Sequence, residues 1–277
     1  MSCYEPLQAR AFGMNSLKSA HQEKPLALIT GGTSGIGLAS AFQLAPTHDL
    51  ALVYAQNEIR ATKALRAIED KHPTTQVTLI QKPLFKFQDV QELMAQLKET
   101  FPKRAVSTLV HAAGRIRDGL YLSSDFDDHA SIIHEHLLVG MALSHQCLKG
   151  MYRQRFGRII LLSSISANYA KRGQASYAAA KGGLESFAAT LALEVAHRGI
   201  TVNCIAPGLI DTPMTEALLE TLKQKGKGLS DRVPTGRAGS PMEVAQLVEF
   251  LASEKGAYIT GSSYTIDGGR SLGDVHS

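Results

Sequence analysis

The sequence predicts a single α/β domain in which a doubly wound parallel sheet of about seven strands is flanked by helices on both faces. From residue 26 onwards, short apolar runs alternate with longer segments that have a helical period. Several of these apolar runs are continuous, as expected for strands that helices cover on both faces of the sheet. A glycine-rich turn connects the first apolar run to the first helical segment, which is typical of strand–turn–helix units that bind phosphate groups.

The elements follow in order along the chain. Pro25 precedes the first strand, LALIT, and Pro46 stops the first helix, LASAFQLA. RIILL indicates a buried strand, and the alanine- and leucine-rich run GQASYAAAKGGLESFAATLALEVA indicates one long helix. Strands that are joined by helical crossovers lie parallel in such a sheet, and these crossovers are right-handed. Strands are predicted near 26–30, 50–54, 76–80, 106–110, 157–162, 200–205 and 263–266, and helices near 36–45, 57–70, 88–100, 125–150, 173–197 and 241–252.

Two segments depart from this alternation. Residues 1–24 have no strand period, helix period or signal-peptide core, so we expect a disordered extension before one catalytic domain at 25–277. Arg10 and Lys18, among few acids, give this extension only a faint likeness to an organelle presequence. Residues 211–240 are long, charged and contain glycine, and we expect them to form a substrate loop above the carboxyl edge of the sheet.

The composition excludes several classes of function. Hydrophobic residues make up 44% and charged residues 19% of the 277-residue chain, which is ordinary for a globular protein. A net charge of +4 is too small to indicate nucleic-acid binding, although it suits a small acidic ligand. No apolar run reaches the roughly 18 residues of a membrane span. Three cysteines without metal-like spacing favour a reduced, cytoplasmic location.

Four histidines in the predicted helix at 125–150 raise the question of a metal site. His134 and His136 are two residues apart, so they face in different directions on a helix. No cysteine or carboxylate completes a ligand set with them or with His129 and His145. No metal is therefore predicted.

The glycine-rich turn GGTSGIG indicates a dinucleotide-binding loop. Gly31, Gly35 and Gly37 have the spacing G-x3-G-x-G between a predicted strand and a predicted helix. Glycines in this position allow a tight turn and let the backbone approach a pyrophosphate at the helix N-terminus. Because glycine-rich loops are common, the flanking strand and helix are what make this motif a specific sign of a dinucleotide-binding site.

Ser164, Tyr177 and Lys181 form a pattern that suits carbonyl–alcohol redox chemistry. Tyr177 and Lys181 are four residues apart in the predicted long helix, so their side chains share one face. A neighbouring ammonium is expected to lower the phenol pKa from its usual value of about 10. Ser164 follows a predicted strand, and its hydroxyl can bind the same carbonyl oxygen. The alternative for the Tyr-x3-Lys pair alone is a solvated helix face.

Several motifs in the same order as in a known family strengthen this interpretation. TGGTSGIG at 30–37, HAAG at 111–114, the Ser164–Tyr177–Lys181 set, IAPGLIDTPMT at 205–215 and YITGSSYTIDGG at 258–269 resemble the short-chain dehydrogenase/reductase family. The resemblance covers roughly 26–270 and implies a Rossmann-type fold. AGRIRDGL, RGQASYAAAKGGLESF and VAHRGITVNCIAPGLIDTPMT most resemble 3-oxoacyl-[acyl-carrier-protein] reductases of fatty acid biosynthesis. Sugar-alcohol and steroid dehydrogenases share much of this skeleton.

The resemblance implies a role for each matching residue. Tyr177 would exchange a proton with the substrate oxygen, Lys181 would lower the phenol pKa and hold the nicotinamide ribose, and Ser164 would orient the carbonyl. Cofactor contacts are implied for the glycine loop, the HAAG segment and the segment after the sixth strand. These residues are Gly31, Gly32, Thr33, Ser34, Gly35, Ile36, Gly37, Ala112, Gly114, Pro207, Gly208, Ile210 and Thr212, besides Tyr177 and Lys181.

Three positions depart from the family pattern. His136 stands where the family has a catalytic asparagine that orders a water in the proton relay, so we count His136 as a candidate catalytic residue. Because histidine titrates near neutrality, it is expected to add an ionisation between roughly pH 6 and 8. His111 replaces the first asparagine of the family's NNAG motif, and Pro83 lies near the position of an aspartate that touches the adenine.

The end of the second predicted strand bears on the choice of cofactor. An acidic residue there would bind the ribose 2′-hydroxyl of NAD and repel the 2′-phosphate of NADP. This chain has Tyr54, Ala55, Gln56 and Asn57 at that place, with Arg60 nearby. Tyr54 and Ala55 are therefore candidate cofactor-binding residues, and NADP(H) is favoured over NAD(H).

These observations favour an NADP(H)-dependent oxidoreductase that reduces a 3-oxoacyl thioester. One alternative is a dehydrogenase of a small alcohol, sugar or steroid. Another is a catalytically silent cofactor-binding subunit, which the departures at His136, His111 and Pro83 suggest. The resemblance implies docking of an acyl carrier protein near Arg155 and Arg198, which are otherwise ordinary surface arginines. It also implies a homotetramer that uses the long helices at 125–150 and 173–197.

Overall fold

A seven-stranded, fully parallel sheet forms the centre of the molecule. In a computed structural model, residues 24–224 and 228–273 are described, so the expectation for the extension at 1–24 lies outside the described residues except at Lys24. The strand order is β3-β2-β1-β4-β5-β6-β7, with parallel pairing throughout. This arrangement confirms the predicted fold class. The strands are β1 (Leu26–Thr30), β2 (Asp49–Tyr54), β3 (Val77–Gln81), β4 (Val106–His111), β5 (Gly157–Leu162), β6 (Ile200–Pro207) and β7 (Ser263–Ile266).

Helices cover both faces of this sheet. They are α1 (Gly35–Leu44), α2 (Glu58–Lys71), α3 (Phe87–Thr100), α4 (Phe126–Ile133), α5 (Val139–Gln154), α6 (Ala175–Val195), α7 (Glu216–Gln224) and α8 (Pro241–Ala252). One core cluster joins strand residues such as Leu28 to α3, α5 and α6. The other joins neighbouring residues such as Ile29 to α1 and α8. Side chains alternate between the faces of a strand, so β1, β2, β4, β5 and β6 contribute buried residues to both cores.

Two predicted segments differ from the observed structure. The single helix expected at 125–150 is divided into α4 and α5 by a π-helical turn at His134–Leu138. The loop expected at 211–240 contains α7, whose Leu219 and Leu222 pack against Leu209. Because this segment is charged, its sequence predicts a loop. The contact of Leu219 and Leu222 with Leu209 shows which face of α7 is buried. No helix in the described ranges combines the length and apolar character needed to cross a membrane.

Candidate active site

A cleft of about 770 Å³ lies at the carboxyl edge of the sheet. The segments that follow β1, β2, β3, β4, β5 and β6 all line it, because the carboxyl ends of parallel strands meet at one edge. The catalytic candidates Ser164, Tyr177, Lys181 and His136 line this one cleft. The cofactor-binding candidates that line it are Gly31, Thr33, Ser34, Gly35, Ile36, Gly37, Tyr54, Ala55, Ala112, Gly114, Pro207, Gly208, Ile210 and Thr212.

Gly32 was predicted to bind the cofactor but does not line the cleft. Its backbone N–H donates to the carbonyl of Val53 at 3.3 Å. A Cβ at this position would meet the carbonyl oxygen of Ile29 at 2.9 Å. The glycine is therefore explained by close packing of the turn on β1 and β2, and its contact with the cofactor stays a prediction.

The glycine loop forms a tight cradle at the start of α1. Gly31 and Gly35 have φ angles of +65° and +51°, a region that residues with a Cβ rarely adopt. Gly37 faces back onto the loop, where a Cβ would come within 2.2 Å of the carbonyl oxygen of Gly31. The N-terminus of α1 has no acidic side chain in its first turn. This end of the helix can therefore attract the phosphates of a dinucleotide.

Lys181 is buried beside Tyr177 on α6. Its side chain is 4% exposed, and Nζ donates a hydrogen bond of 2.5 Å to the carbonyl of Leu162 at the end of β5. Nζ lies 5.5 Å from the centroid of the Tyr177 ring. Burial lowers the pKa of Lys181 to about 8, since water no longer solvates the ammonium. The lysine thus remains largely protonated at neutral pH.

The pKa of Tyr177 is raised, which corrects the expectation from sequence. Burial is the main cause, and a hydrogen bond with Ser164 opposes it. Asp118 adds a further upward effect, whereas Lys181, whose ammonium hydrogen-bonds to Leu162, is not among the causes. Without a ligand the phenol is therefore held in its protonated form, which suits a proton donor better than a base.

Ser164 lies where β5 ends. Its side chain accepts a hydrogen bond of 3.2 Å from the backbone N–H of Ser166 and so caps a short 3₁₀ turn at Ile165–Ala167. This bond fixes the side chain at the mouth of the cleft. Its hydroxyl also hydrogen-bonds with the Tyr177 phenol, so these two side chains adjoin each other in the cleft.

His136 lies in the π-helical turn between α4 and α5, an irregularity often found at functional sites. Its ring packs edge-on against Tyr177, with the ring centroids 5.0 Å apart and an angle of 88° between the planes. Nε2 is 2.8 Å from the carbonyl oxygen of Arg115 and therefore carries the proton. Nδ1 is buried with no hydrogen-bond partner in the described part of the chain. His136 thus presents an acceptor next to the phenol.

The environment of His136 overturns the expected ionisation near neutral pH. Burial, together with the nearby Lys181 ammonium, lowers the pKa of the imidazole to about 2. The hydrogen bond to Arg115 acts in the opposite direction but does not compensate. His136 is consequently neutral across the physiological range and cannot supply a titration between pH 6 and 8.

We therefore expect the wild type and a His136→Asn variant to share one pH–rate profile for reduction between pH 5 and 9. Reduction should decline as pH rises through the value of about 8 at which buried Lys181 loses its proton. Initial rates at saturating cofactor over this range check the prediction. An additional limb between pH 6 and 8 that disappears in His136→Asn would contradict it.

His111, the second departure from the family pattern, supports the same π-helical turn from beneath. It is buried at the end of β4, and its Nδ1 lies 2.9 Å from the Thr30 hydroxyl. Thr30 Oγ1 already accepts from the backbone N–H of Ala113 at 3.2 Å, so its proton is available for Nδ1. Burial, with a contribution from Lys181, lowers the pKa of His111 to about 3. His111 does not line the cleft, and its contacts are structural.

The cleft end next to β2 and β3 lacks acidic side chains in the described ranges. Tyr54, Ala55, Gln56, Asn57 and Arg60 line it. Asn57 caps α2 through a hydrogen bond of 2.8 Å from the backbone N–H of Arg60. Lys82, Pro83, Leu84 and Phe85 complete this end, so Pro83, the third departure, does reach the cleft.

Five charged residues of the cleft were missed by the sequence analysis, and three of them lie next to a motif. Arg115 directly follows the HAAG motif, Glu135 precedes His136, and Arg270 follows the closing IDGG run. Their position next to a motif was the signal that could have found them. Glu135 is buried, and its carboxylate lies 2.7 Å from the Arg115 guanidinium. Burial raises the pKa of Glu135, and Arg115 opposes this effect.

The cleft as a whole is cationic. Among its described lining residues Glu135 is the only acid, whereas six side chains are basic: Arg60, Lys82, Arg115, Lys171, Lys181 and Arg270. A glycine cradle at a helix N-terminus and an excess of positive charge fit an anionic dinucleotide.

Known proteins share this arrangement. Residues 31–271 match the family described as enoyl-(acyl carrier protein) reductase. The chain is 36% identical over 244 residues to the 3-oxoacyl-[acyl-carrier-protein] reductase FabG of Haemophilus influenzae, covering 88% of this chain and 97% of the relative. It is 37% identical over 249 residues to FabG of Escherichia coli, covering 89% and 97%. This chain belongs to the short-chain dehydrogenase/reductase family.

The structure of levodione reductase superposes on this chain with a TM-score of 0.83. Its sequence is 28% identical, and the superposition covers 90% of this chain and 98% of the other. Membership of the family makes this protein an oxidoreductase with a nicotinamide cofactor. The glycine cradle and the cationic cleft described above are consistent with that cofactor.

Proposed function

We propose that this short-chain dehydrogenase/reductase reduces a 3-oxoacyl thioester to the 3-hydroxyacyl thioester with NADPH. The observation that carries the proposal is that Ser164, Tyr177 and Lys181 share one cleft with the glycine cradle. The similarity to the FabG reductases over nearly the whole chain supports this substrate class. A cytoplasmic location and a role in fatty acid biosynthesis belong to the same proposal.

The chain's own residues perform the proton chemistry. When bound, the reduced nicotinamide supplies a hydride to the carbonyl carbon. The Ser164 hydroxyl donates a hydrogen bond to the carbonyl oxygen, and the protonated Tyr177 transfers its phenolic proton to the same oxygen as negative charge develops. At neutral pH the Lys181 ammonium, buried beside the ring, stabilises the phenolate that forms during the reaction. It does not lower the pKa of Tyr177, because Lys181 loses its own proton near pH 8, before the phenol titrates.

The neutral His136 ring limits where Tyr177 can move. Its edge-on contact holds the phenol, and its ring fills the space above Gly114, where a Cβ would meet Cε1 at 2.0 Å. We propose that His136 positions Tyr177 and takes no proton itself. The asparagine relay of the family is thus replaced by a packing contact and a hydrogen-bond acceptor at Nδ1.

Oxidation of NADPH with a panel of 3-oxoacyl thioesters and simple ketones tests the proposed function. We expect the highest kcat/KM with a 3-oxoacyl thioester. A higher value for a ketone, a sugar or a steroid would favour the alternative dehydrogenase. Cofactor binding without turnover on any member of the panel would favour the silent subunit.

NADPH should give a higher kcat/KM than NADH, because the end of β2 offers no carboxylate to repel the 2′-phosphate. An Ala55→Asp variant should reduce the ratio of kcat/KM for NADPH over NADH by roughly tenfold or more, through charge repulsion. Ala55→Asn, of similar size without the charge, is the matched control. An NADH preference in the wild type would contradict the assignment.

The proposal includes docking of an acidic acyl carrier protein near Arg155 and Arg198. Arg155 ends α5 in a left-handed conformation, and its carbonyl oxygen would lie 2.7 Å from a Cβ at Gly199. The Arg198 guanidinium stacks on Tyr152, 4.1 Å from the ring centroid. The two arginines therefore lie on one surface, where they can bind phosphate or carboxylate groups together.

A homotetramer is also part of the proposal. Leu193 on α6 is 85% exposed, and Leu138 and Met141 are partly exposed at the start of α5. β7 is an edge strand that a second copy of the chain can cover. Light scattering at micromolar protein should return four times the 29.8 kDa of one chain. A monomeric mass would contradict the prediction.

A further inference from the structure

Arg270 is a cation that lines the cleft. It follows β7 at one edge of the sheet and lines the same cleft as Tyr177. Asp267 holds the preceding turn by accepting hydrogen bonds from the backbone N–H groups of Gly269 at 2.9 Å and Ser271 at 2.7 Å. A Cβ at Gly269 would meet Pro234 at 3.1 Å, so the turn is also packed. The backbone that presents Arg270 is therefore fixed.

The guanidinium of Arg270 has no hydrogen bond or ion pair within residues 24–224 and 228–273. Burial lowers its pKa, and the neighbouring Arg232 lowers it further, while Tyr169 and Asp267 act in the opposite direction. The Asp267 carboxylate is engaged by backbone donors. A partly buried guanidinium without a partner is unfavourable unless an anion binds against it.

Three other cations that line the cleft already have partners. Lys171 forms an ion pair of 3.0 Å with Asp118, Arg115 pairs with Glu135, and Lys181 donates to a backbone carbonyl. These three side chains therefore already interact with groups of the protein. The Arg270 guanidinium, in contrast, donates to no acceptor among the described residues.

The surroundings of Arg270 are suited to the remote part of a substrate. Tyr169, Met214 and Leu218 line the same cleft and offer apolar contacts. Because Arg270 and Tyr177 line one cleft, a substrate whose carbonyl lies at Tyr177 can extend towards Arg270 within it.

We propose that Arg270 forms a subsite that binds a carboxylate or phosphate group carried by the substrate. The proposal rests on the carbonyl-reductase function proposed above and adds a charge requirement to it. In a thioester substrate the anion has two sources: the phosphate of a phosphopantetheine arm, or a carboxylate at the far end of the acyl chain. An arginine can bind either group with two parallel hydrogen bonds.

Matched thioesters test the subsite and distinguish the two sources. The substrates are a 3-oxoacyl N-acetylcysteamine thioester, the same acyl group on phosphopantetheine, and an N-acetylcysteamine thioester with a terminal carboxylate. In an Arg270→Met variant, the ratio of kcat/KM for an anionic over the neutral thioester should fall by on the order of tenfold or more. The fall should appear in KM and not in kcat, and Arg270→Lys should restore part of the ratio. The anion whose ratio falls is the source.

The control is a substitution of an exposed arginine outside the cleft. Arg66→Met removes an exposed arginine of α2 that does not line the cleft, so it should leave the ratio unchanged. Equal losses on neutral and anionic thioesters in a folded Arg270→Met variant, or no loss at all, would overturn the subsite while leaving thioester reduction standing. If the variant does not fold, competitive inhibition of the wild type by inorganic phosphate at saturating NADPH decides, and its absence overturns the subsite.

Failure of the proposed function gives a different pattern. No thioester would then be reduced, but a simple 3-oxo acid and its methyl ester would be. A preference for the acid that Arg270→Met removes would keep the subsite and reject the thioester. Equal rates on acid and ester would reject the subsite as well.

Discussion

A Tyr177→Phe variant should fold and bind NADPH like the wild type but turn over at least about 10²-fold more slowly. The substitution removes one oxygen, the donor of the proton that reduction requires. The ring remains, and so do its edge-on contact with His136 and its position above Lys181. Because the pKa of Tyr177 is raised by burial, the wild-type phenol is protonated and ready to donate at neutral pH.

Turnover at saturating substrate and a fluorescence titration with NADPH measure the two parts of this prediction. Tyr264→Phe is the matched control, since Tyr264 packs against the core on β7 and does not line the cleft. It should retain wild-type turnover. A folded Tyr177→Phe variant with near wild-type kcat would show that another group supplies the proton.

A Gly37→Ala variant should lose most of its affinity for the cofactor. Its Cβ would lie 2.2 Å from the carbonyl oxygen of Gly31 and 2.7 Å from that carbonyl carbon. Neither atom belongs to a flexible side chain, so the loop itself must move. The displaced atoms form the cradle at the N-terminus of α1, and the pyrophosphate loses its backbone donors. Overpacking of this kind destabilises the fold by about 1–3 kcal/mol.

Gly182→Ala is the matched control for this experiment. Gly182 lies inside α6, and the nearest atom to an added Cβ there is 3.8 Å away. Alanine at that position should keep cofactor affinity and raise stability by up to about 1 kcal/mol, because alanine favours helix. Thermal melting and NADPH titration of both variants separate loss of binding from loss of fold. Wild-type NADPH affinity in Gly37→Ala would show that the loop accommodates the methyl group.

The sequence by itself determined the architecture of this protein. Continuous apolar runs identified the seven strands of the sheet within two residues of their observed ends. Local spacing also identified the glycine loop and the Tyr177–Lys181 pair, since both depend on residues close together in the chain. Their meeting in one cleft could be predicted because every parallel strand delivers its following loop to the same edge.

The tertiary structure decided the properties that depend on burial and on distant contacts. The i, i+4 spacing placed Lys181 beside Tyr177, but only the packed interior shows that its ammonium binds the carbonyl of Leu162 and that the pKa of Tyr177 is raised. His136 was expected to titrate near neutrality, yet burial against Tyr177 and Lys181 keeps it neutral.

The same reason explains the features that no motif revealed. α7 forms because Leu219 and Leu222 find an apolar partner in Leu209, on a segment that is charged in sequence. Arg270 follows a strand at the far edge of the sheet and becomes part of the cleft only when that strand pairs with β6. Periodicity records which residues are apolar, whereas the free energy of a charge depends on how much water and which partners surround it in the folded chain.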